Sequence, residues 1–177
     1  KARAGLEWAL LRSGPLTVGA GVVGLFCRTR PELATPDVQY HVIPFSADKP
    51  GGDFHDFPGF TVSACQLRPE SRGTIRLKSS DPREHPAIQP NYLSTRTDQD
   101  TIVAGLRLGR QIMAMPQIKP HVVEEFLPGP AASSDADLLA FARAKGATIF
   151  HPTSTCRMGP DGDAMAVTDP ELRVRGI

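Results

Sequence analysis

VQYHVIPF, residues 38–45, is the stretch of sequence that decides the fold. It is rich in β-branched and aromatic residues, which is typical of a strand. The next two segments, FTVSACQLRP at 60–69 and GTIRLKS at 73–79, alternate on a period of two residues, and this predicts two further strands. Because only three residues separate these segments, we expect them to pair with each other as an antiparallel hairpin.

Helices are predicted mainly after these strands. Residues 97–115 carry apolar side chains at helical spacing, with Thr97 as the expected N-cap. Residues 135–145 predict a second helix, capped by Ser133 or Ser134. Strands that cluster before helices favour an α+β fold, and we expect a mainly antiparallel sheet of at least four strands covered by these two helices.

Three other segments complete the expected organisation. Residues 19–28 are apolar and glycine-rich and predict a strand or a close-packed turn, while residues 79–93 contain several prolines and predict irregular structure. ELRVRGI at 171–177 alternates like the beginning of a strand. A domain that ended there would contain a half-built element, so we expect the chain to be a fragment of a longer protein.

Composition excludes several classes of protein. Of the 177 residues, 40% are hydrophobic and 22% are charged, and the formal net charge is +1, as in ordinary soluble domains. Basic residues are not clustered, so no nucleic-acid partner is expected, and no apolar run approaches the roughly 20 residues that span a bilayer. Three widely spaced cysteines fit a reducing compartment. We expect a cytoplasmic protein, with peripheral membrane association left open.

Gly19-Ala20-Gly21-Val22-Val23-Gly24 matches the G-x-G-x-x-G pattern of dinucleotide-binding loops. That pattern binds a pyrophosphate only when a strand precedes it and a helix follows its third glycine. Here Pro15 precedes the motif, and Pro31 follows too soon for a crossover helix. We therefore favour glycines selected for close backbone packing, with no helix beginning at Gly24.

TIFHPTSTCRMG at 148–159 contains the other candidate site, with His151 and Cys156. These two ligands without a second pair would make a weak zinc site, and no metal is expected. A Cys–His nucleophile pair is conceivable, but neither an oxyanion loop nor an orienting acid adjoins it. The residues by themselves leave His151 either structural or functional.

HPTSTCRMG at 151–159, followed by VTDPELRVRGI at 167–177, resembles the signature of glucose–methanol–choline (GMC) oxidoreductases. That family has a His-Pro or His-Gly pair, a Thr-Cys-x-Met-Gly turn, and then Val-x-Asp-x-x-Leu-Arg-Val-x-Gly. Three upstream blocks are also similar to family motifs, namely SGPLTV at 13–18, PDVQYHVIPF at 36–45 and SRGTIRLKSSDPREHPAIQPNYL at 71–93. Ser154 departs from the pattern, because the family usually has Gly there.

The resemblance implies an FAD-dependent oxidoreductase that acts on the CH–OH group of alcohols and is similar to choline and alcohol dehydrogenases. It also implies that residues 1–150 form a substrate-binding α+β domain and that residues 151–177 hold the active-site histidine turn and the start of the return to the FAD-binding domain. The partners would be a small-molecule alcohol and the missing FAD-binding domain of the same protein. The main FAD site and a second active-site His or Asn would lie outside this chain, so the fragment alone is expected to be inactive and free of FAD.

The same resemblance makes His151 the base or alkoxide stabiliser that acts while hydride passes to flavin N5. The pocket walls would come from the predicted strands, where Tyr40 and His41 are candidates by position, with ordinary packing as the alternative. Two other interpretations stay open. One is a non-enzymatic α+β interaction module, and the other is an NAD-binding enzyme that uses the Gly19–Gly24 loop.

Overall fold

The computed structural model describes residues 2–19, 21–48 and 51–177. Its helices and strands are α1 (Ala2–Leu11), β1 (Val23–Cys27), β2 (Val38–Ile43), β3 (Thr61–Gln66), β4 (Thr74–Arg76), β5 (Ala87–Gln89), α2 (Arg96–Met113) and α3 (Asp135–Lys145). Two 3₁₀ turns are also present, Pro15–Thr17 and Lys119–His121. The predicted α+β class with antiparallel strands is confirmed. Within the described ranges, no helix has both the length and the apolar character needed to cross a membrane.

Strand β2 is the centre of a three-stranded antiparallel sheet, between β1 and β3. Tyr40 of β2 lies opposite Leu25 of β1 and Ala64 of β3. Because successive side chains of a strand point to opposite faces, Val38 and Tyr40 share one face of the sheet. Both are buried, whereas His41, on the other face, is half-buried.

Both long helices begin at side-chain caps. The hydroxyl of Thr95 accepts a hydrogen bond from the N–H of Asp98, so the cap of α2 lies two residues before the predicted cap, Thr97, and the helix begins at Arg96. Ser134 caps α3 in a reciprocal arrangement with Asp137. Each cap satisfies backbone donors that have no partner inside the helix.

Helix α2 packs on the Tyr40 face of the sheet. A Cβ atom at Gly105 would lie 3.5 Å from both methyl groups of Val38, so the helix approaches the sheet closely there. Leu138 of α3 is fully buried, but α3 packs mainly against α2. The prediction that both helices cover the sheet is therefore wrong for α3, which forms the outer layer.

Strands β4 and β5 form a separate two-stranded antiparallel sheet. The predicted hairpin between residues 60–69 and 73–79 is wrong, because β3 pairs with β2 and β4 pairs with β5. The expected single sheet of at least four strands is also wrong, since five strands divide between two sheets. Strand β5 lies in the segment 79–93 that we expected to be irregular, where only three residues between Pro86 and Pro90 pair.

The chain divides into two compact units. Unit 1 comprises Lys1–Arg72 and Asn91–Gly146, and it contains the three-stranded sheet and all three helices. Unit 2 comprises Gly73–Pro90 and Ala147–Ile177, and it contains the β4–β5 sheet and the His151 segment. The expected division into a substrate-binding domain, residues 1–150, and the histidine turn, residues 151–177, stays a prediction.

The last residues form a turn instead of the predicted beginning of a strand. Within the described part of this segment, the pairing of Val174 is a single isolated bridge to Thr168. Between them Leu172 has a φ of 66°, in the left-handed region that residues other than glycine rarely adopt. This dihedral reverses the chain and prevents a continuous strand.

Candidate active site around His151

The segment around His151 is irregular and its imidazole is exposed. Within the part of the chain that the structure describes, the ring makes no hydrogen bond or ion pair. Phe150 has a φ of 61° and a side chain that is 74% exposed, and Ser154 has a φ of 66°. Residues other than glycine in this conformation are strained, and such positions concentrate at functional sites. The φ of Ser154 also gives a physical reason for glycine at this position in the resembling family.

Backbone hydrogen bonds brace the segment that follows the histidine. The N–H of Gly159 donates to the carbonyl of Thr168 at 3.0 Å, and that of Val167 donates to the carbonyl of Arg157 at 2.9 Å. The N–H of Arg175 donates to the carbonyl of Val167 at 3.0 Å. These hydrogen bonds join residues 157–159 to residues 167–175. We call this hydrogen-bonded segment, residues 157–175, the brace, and it anchors the C-terminal end of the His151 turn.

Gly159 fits this brace because it has no side chain. A Cβ atom there would lie 2.9 Å from Cβ of Ala166 and 2.9 Å from Oδ2 of Asp163. Asp163 forms an ion pair with Arg157 and accepts a 2.9 Å hydrogen bond from the N–H of Met165. The hydrogen bond from the Arg157 guanidinium lowers the pKa of Asp163. This carboxylate therefore stays charged and keeps the turn closed at neutral pH.

Asp169 closes the second turn of the brace. Its Oδ1 accepts hydrogen bonds from the N–H groups of Glu171 and Arg173, both at 2.9 Å, and its Oδ2 accepts one from Nε of Arg173 at 2.7 Å. The backbone hydrogen bond from Arg173 is the main cause that lowers the pKa of Asp169. Arg175 links the turns, since it donates to the Asp161 carboxylate at 3.0 Å. These signature residues are scaffold around the histidine turn.

Asp98, in unit 1, is a buried carboxylate that is not among the residues predicted from the sequence. It accepts hydrogen bonds from the N–H groups of Glu70 and Ser71 at 2.8 Å each, from Nε2 of Gln66 at 2.9 Å, and from the Ser71 hydroxyl. Burial raises the pKa of Asp98, but these hydrogen bonds outweigh it and lower the pKa to about 2. The spacing of Thr95 and Asp98 is the one sequence signal, because it is typical of a capped helix N-terminus.

The two strand candidates lie on opposite faces of β2. Tyr40 is 1% exposed, and its hydroxyl donates a 2.6 Å hydrogen bond to the carbonyl of Gly105, so it belongs to the core. Nδ1 of His41 is buried and has no hydrogen-bond partner among the described residues. A buried polar atom without a partner costs free energy, which makes His41 the stronger candidate for a pocket wall.

The Gly19–Gly24 motif does not have the surroundings of a nucleotide loop. Gly24 lies within β1 and pairs with His41 of β2, so the helix required after the third glycine does not begin there. Ala20 of the motif lies outside the described residues. Over the described ranges, no three His, Cys, Asp or Glu side chains are grouped so that they could hold a metal ion.

Comparison with known proteins places the chain in a family. The sequence model of the GMC oxidoreductases matches residues 69–177. The chain is 41% identical over 166 residues to an alcohol dehydrogenase [acceptor] of Pseudomonas putida, with 94% of this chain and 30% of that protein covered. It is 39% identical over 173 residues to an oxygen-dependent choline dehydrogenase of Pseudomonas putida, with 98% and 30% covered.

The chain also resembles a solved structure. An Aspergillus oryzae formate oxidase, studied for the effect of a mutation on FAD modification, superposes with a TM-score of 0.67 at 25% identity and covers 82% of this chain and 26% of its own. The chain thus spans about 30% of the length of the curated relatives that it matches. The match over residues 69–177 exceeds half of the chain and contains the braced segment after His151, so this chain belongs to the GMC oxidoreductase family.

Proposed function

We propose that this chain is part of an FAD-dependent oxidoreductase that acts on the CH–OH group of alcohols, with His151 as the group that accepts or stabilises the alcohol proton. The observation that supports this proposal is the state of the His151 imidazole, which is exposed and has no hydrogen-bond partner among the described residues. The histidine lies on a strained turn, and the brace that follows this turn contains the residues of the family signature. Relatives named alcohol dehydrogenase [acceptor] and oxygen-dependent choline dehydrogenase support an alcohol as the substrate class.

The activity would belong to a longer parent protein. The chain corresponds to about 30% of the length of the relatives it matches. Its only G-x-G-x-x-G sequence is followed by the rest of strand β1, and not by the N-terminus of a helix. A helix N-terminus is the usual cradle for the pyrophosphate of FAD. We therefore propose that the rest of the parent holds the nucleotide end of the cofactor and that this chain alone neither binds FAD nor oxidises alcohols.

The residues around His151 suit contact with the hydride-accepting ring of a flavin better than contact with the nucleotide part of FAD. Flavin, when bound, supplies the hydride acceptor for alcohol oxidation. The complementary requirement is a proton acceptor beside the alcohol hydroxyl, and an exposed imidazole with two available nitrogens provides one. His151 and the ring of Phe150 are the residues of this chain that we propose to face that end of the cofactor.

The chemical role of His151 follows from the acidity of alcohols. The pKa of an alcohol hydroxyl lies far above neutrality, so the α-hydrogen leaves as hydride only when the oxygen loses its proton or donates a strong hydrogen bond. An imidazole titrates near neutral pH and can accept that proton. Its Nδ1 or Nε2 would take the proton from the hydroxyl, and the imidazolium would then stabilise the developing negative charge on oxygen.

The brace around Gly159, Asp163 and Asp169 would position the imidazole. A general base works only when it lies within hydrogen-bonding distance of the proton it removes. Small displacements of such a group are costly, since proximity and orientation supply a large part of the rate enhancement. The ion pairs and the backbone hydrogen bonds after His151 would keep the turn from drifting.

The three-stranded sheet has one face that α2 does not cover. The face of β2 and β3 opposite α2 carries Gln39, His41 and Ser63, as the register and the alternation of side chains require. We propose this face as a wall of the substrate pocket, with His41 as its most informative residue. Tyr40 is excluded from that wall because its side chain packs beneath α2.

The direct test is anaerobic reduction of the purified parent protein by a panel of alcohols that includes choline and uncharged primary alcohols. The proposal predicts a yellow flavoprotein whose flavin absorbance bleaches with at least one alcohol. A colourless parent, or one whose flavin no alcohol reduces, would contradict it. The control is the 177-residue chain titrated with FAD, which should bind more weakly than roughly micromolar, a free energy of about 8 kcal/mol.

A further inference from the structure

Strand β1 contains a glycine, Gly24, at a position where strands normally carry a side chain. Glycine weakens the interior of a strand, and it often marks a bulge, a bend, or a place where a ligand or another backbone comes close. Gly24 is not a bulge residue, because the pairing of β1 with β2 is unbroken from Val23 to Cys27. Its φ also lies outside the left-handed region, so the backbone conformation does not require glycine.

Packing inside the described residues does not require glycine at this position either. A Cβ atom at Gly24 would lie 3.9 Å from Nε2 of Gln39 and 4.0 Å from the carbonyl oxygen of Tyr40, the nearest described atoms apart from the adjoining residues. Both distances are ordinary van der Waals contacts. Close backbone packing, which we expected from the sequence, therefore does not explain Gly24. A ligand, or a backbone outside these 177 residues, is the remaining reason.

The open space beside Gly24 has a polar side and an apolar side. Gly24 lies directly opposite His41 of β2, and residues that lie opposite each other face the same side of the sheet. Phe26, two positions further along β1, faces this side too, and it is 57% exposed. A molecule with a polar group beside His41 would therefore place its apolar part over Gly24 and against Phe26.

His41 supplies the second observation that points to a ligand. Its Nδ1 is buried and has no hydrogen-bond partner among the described residues, which is a costly state for a polar atom. Side chains that are directly opposite on neighbouring strands have Cβ atoms only about 5 Å apart. A side chain at position 24 would therefore stand beside the His41 imidazole, and glycine keeps that side of the ring open.

We propose that Gly24 is a specificity-determining residue of the alcohol pocket, and that the space beside it receives the alkyl group of the alcohol. We name this space the Gly24 notch, and it is bounded by Gln39, His41 and Phe26. The inference rests on the proposed function, because it takes the His41 face of the sheet as a pocket wall. Since β1 has room for a side chain at this position, a larger residue should narrow the range of alcohols without preventing folding.

The test is the selectivity of the flavin-loaded parent protein among ethanol, 1-butanol and 1-hexanol, measured as kcat/KM for Gly24→Ala and Gly24→Val. Relative to ethanol, the kcat/KM for 1-hexanol should fall about tenfold or more in Gly24→Val, the usual effect of one methylene group in an apolar pocket. Gly24→Ala should give a smaller fall. The matched control is Leu25→Ile, a volume-conserving change at the next residue, which faces the other side of the sheet. Its selectivity should change by less than about twofold.

An unchanged ratio of 1-hexanol to ethanol in both glycine variants would overturn the proposal. An equal loss for all three alcohols, or a loss of bound flavin, would also overturn it, because a backbone of the parent and not the alcohol would then occupy the Gly24 notch. If Gly24→Val does not fold, Gly24→Ala makes the same comparison with a single added methyl group.

Equilibrium binding separates this inference from the proposed function. With the flavin reduced beforehand, no alcohol is oxidised, and saturation-transfer NMR measures the binding of 1-hexanol and ethanol to the parent and its variants. Weaker binding of 1-hexanol to Gly24→Val, in a parent that oxidises no alcohol, would support the notch and reject the proposed function alone. Equal binding of 1-hexanol with and without the substitution would overturn the inference, whether or not the parent oxidises alcohols.

Discussion

The hydroxyl of Tyr40 donates a 2.6 Å hydrogen bond to the backbone carbonyl of Gly105 and thereby joins the central strand to the helix that covers it. The same helix comes close enough that a Cβ at Gly109 would lie 3.3 Å from the Tyr40 ring. Burial raises the pKa of the Tyr40 phenol, so it stays a neutral donor at every physiological pH. This single side chain therefore ties the main sheet to α2.

Replacing Tyr40 with Phe should remove that hydrogen bond and keep the ring. We expect the free energy of unfolding to fall by about 1 kcal/mol, the usual net value of a buried hydrogen bond, as measured by urea denaturation. The control is Tyr92→Phe, because the Tyr92 side chain is 64% exposed and its hydroxyl should matter little. Equal effects of the two substitutions would show that the Tyr40 hydroxyl does not stabilise the α2–sheet contact.

Asp98 should make the stability of unit 1 sensitive to acid. Its pKa is about 2 in the folded protein, whereas an aspartate in an unfolded chain titrates near 3.9. The lowered pKa therefore stabilises the folded state fully above about pH 4, and this stability is lost as the pH falls through 2, by about 2–3 kcal/mol in total. Urea unfolding between pH 6 and pH 2 should show this loss.

The variant Asp98→Asn separates this carboxylate from the other acids. It cannot accept all of the hydrogen bonds from Ser71, Glu70 and Gln66, so at pH 7 it should be less stable by roughly 1–3 kcal/mol. Its stability should also decline less between pH 4 and pH 2 than that of the unsubstituted chain. An unchanged pH dependence in the variant would contradict the low pKa of Asp98.

Gly159 tests the brace after His151. Gly159→Ala places a methyl group 2.9 Å from Cβ of Ala166 and from the Asp163 carboxylate, and overpacking of this kind costs about 1–3 kcal/mol. Gly162→Ala is the matched control in the same loop, since nothing lies within 4 Å of its Cβ position. The midpoint of thermal unfolding should fall for Gly159→Ala alone. Equal midpoints for the two variants would mean that the brace accommodates the methyl group without losing stability.

The elements with clear periodicity could be predicted from the sequence, but their partners could not. The segments that became β2, β3, α2 and α3 carry patterns that local sequence determines. Pairing depends on contacts distant in sequence, and the alternating segment at 73–79 fits either neighbour equally well. It pairs with β5, whose three residues are too few to carry a periodic signal of their own.

The candidate catalytic residue could be predicted from the sequence, but the geometry around it could not. The signature motif drew attention to His151, and the chain's family membership now stands on independent comparisons. The positive φ values of Phe150 and Ser154 could not be inferred, because they depend on how the brace holds the turn. The hydrogen bonds to Asp98 from Ser71 and Gln66 likewise arise only when distant segments meet.

The proposed role of His151 can be measured by stopped-flow reduction of the flavin by alcohol in His151→Ala of the parent protein, normalised to flavin-loaded enzyme. We expect a rate constant for flavin reduction that is lower by about two to four orders of magnitude, the range for loss of a general acid–base group, with flavin content and reoxidation nearly unchanged. The control His121→Ala, at an exposed position of unit 1, should reduce its flavin at the normal rate. A normal rate constant for folded, flavin-loaded His151→Ala would exclude His151 from the oxidation of the alcohol.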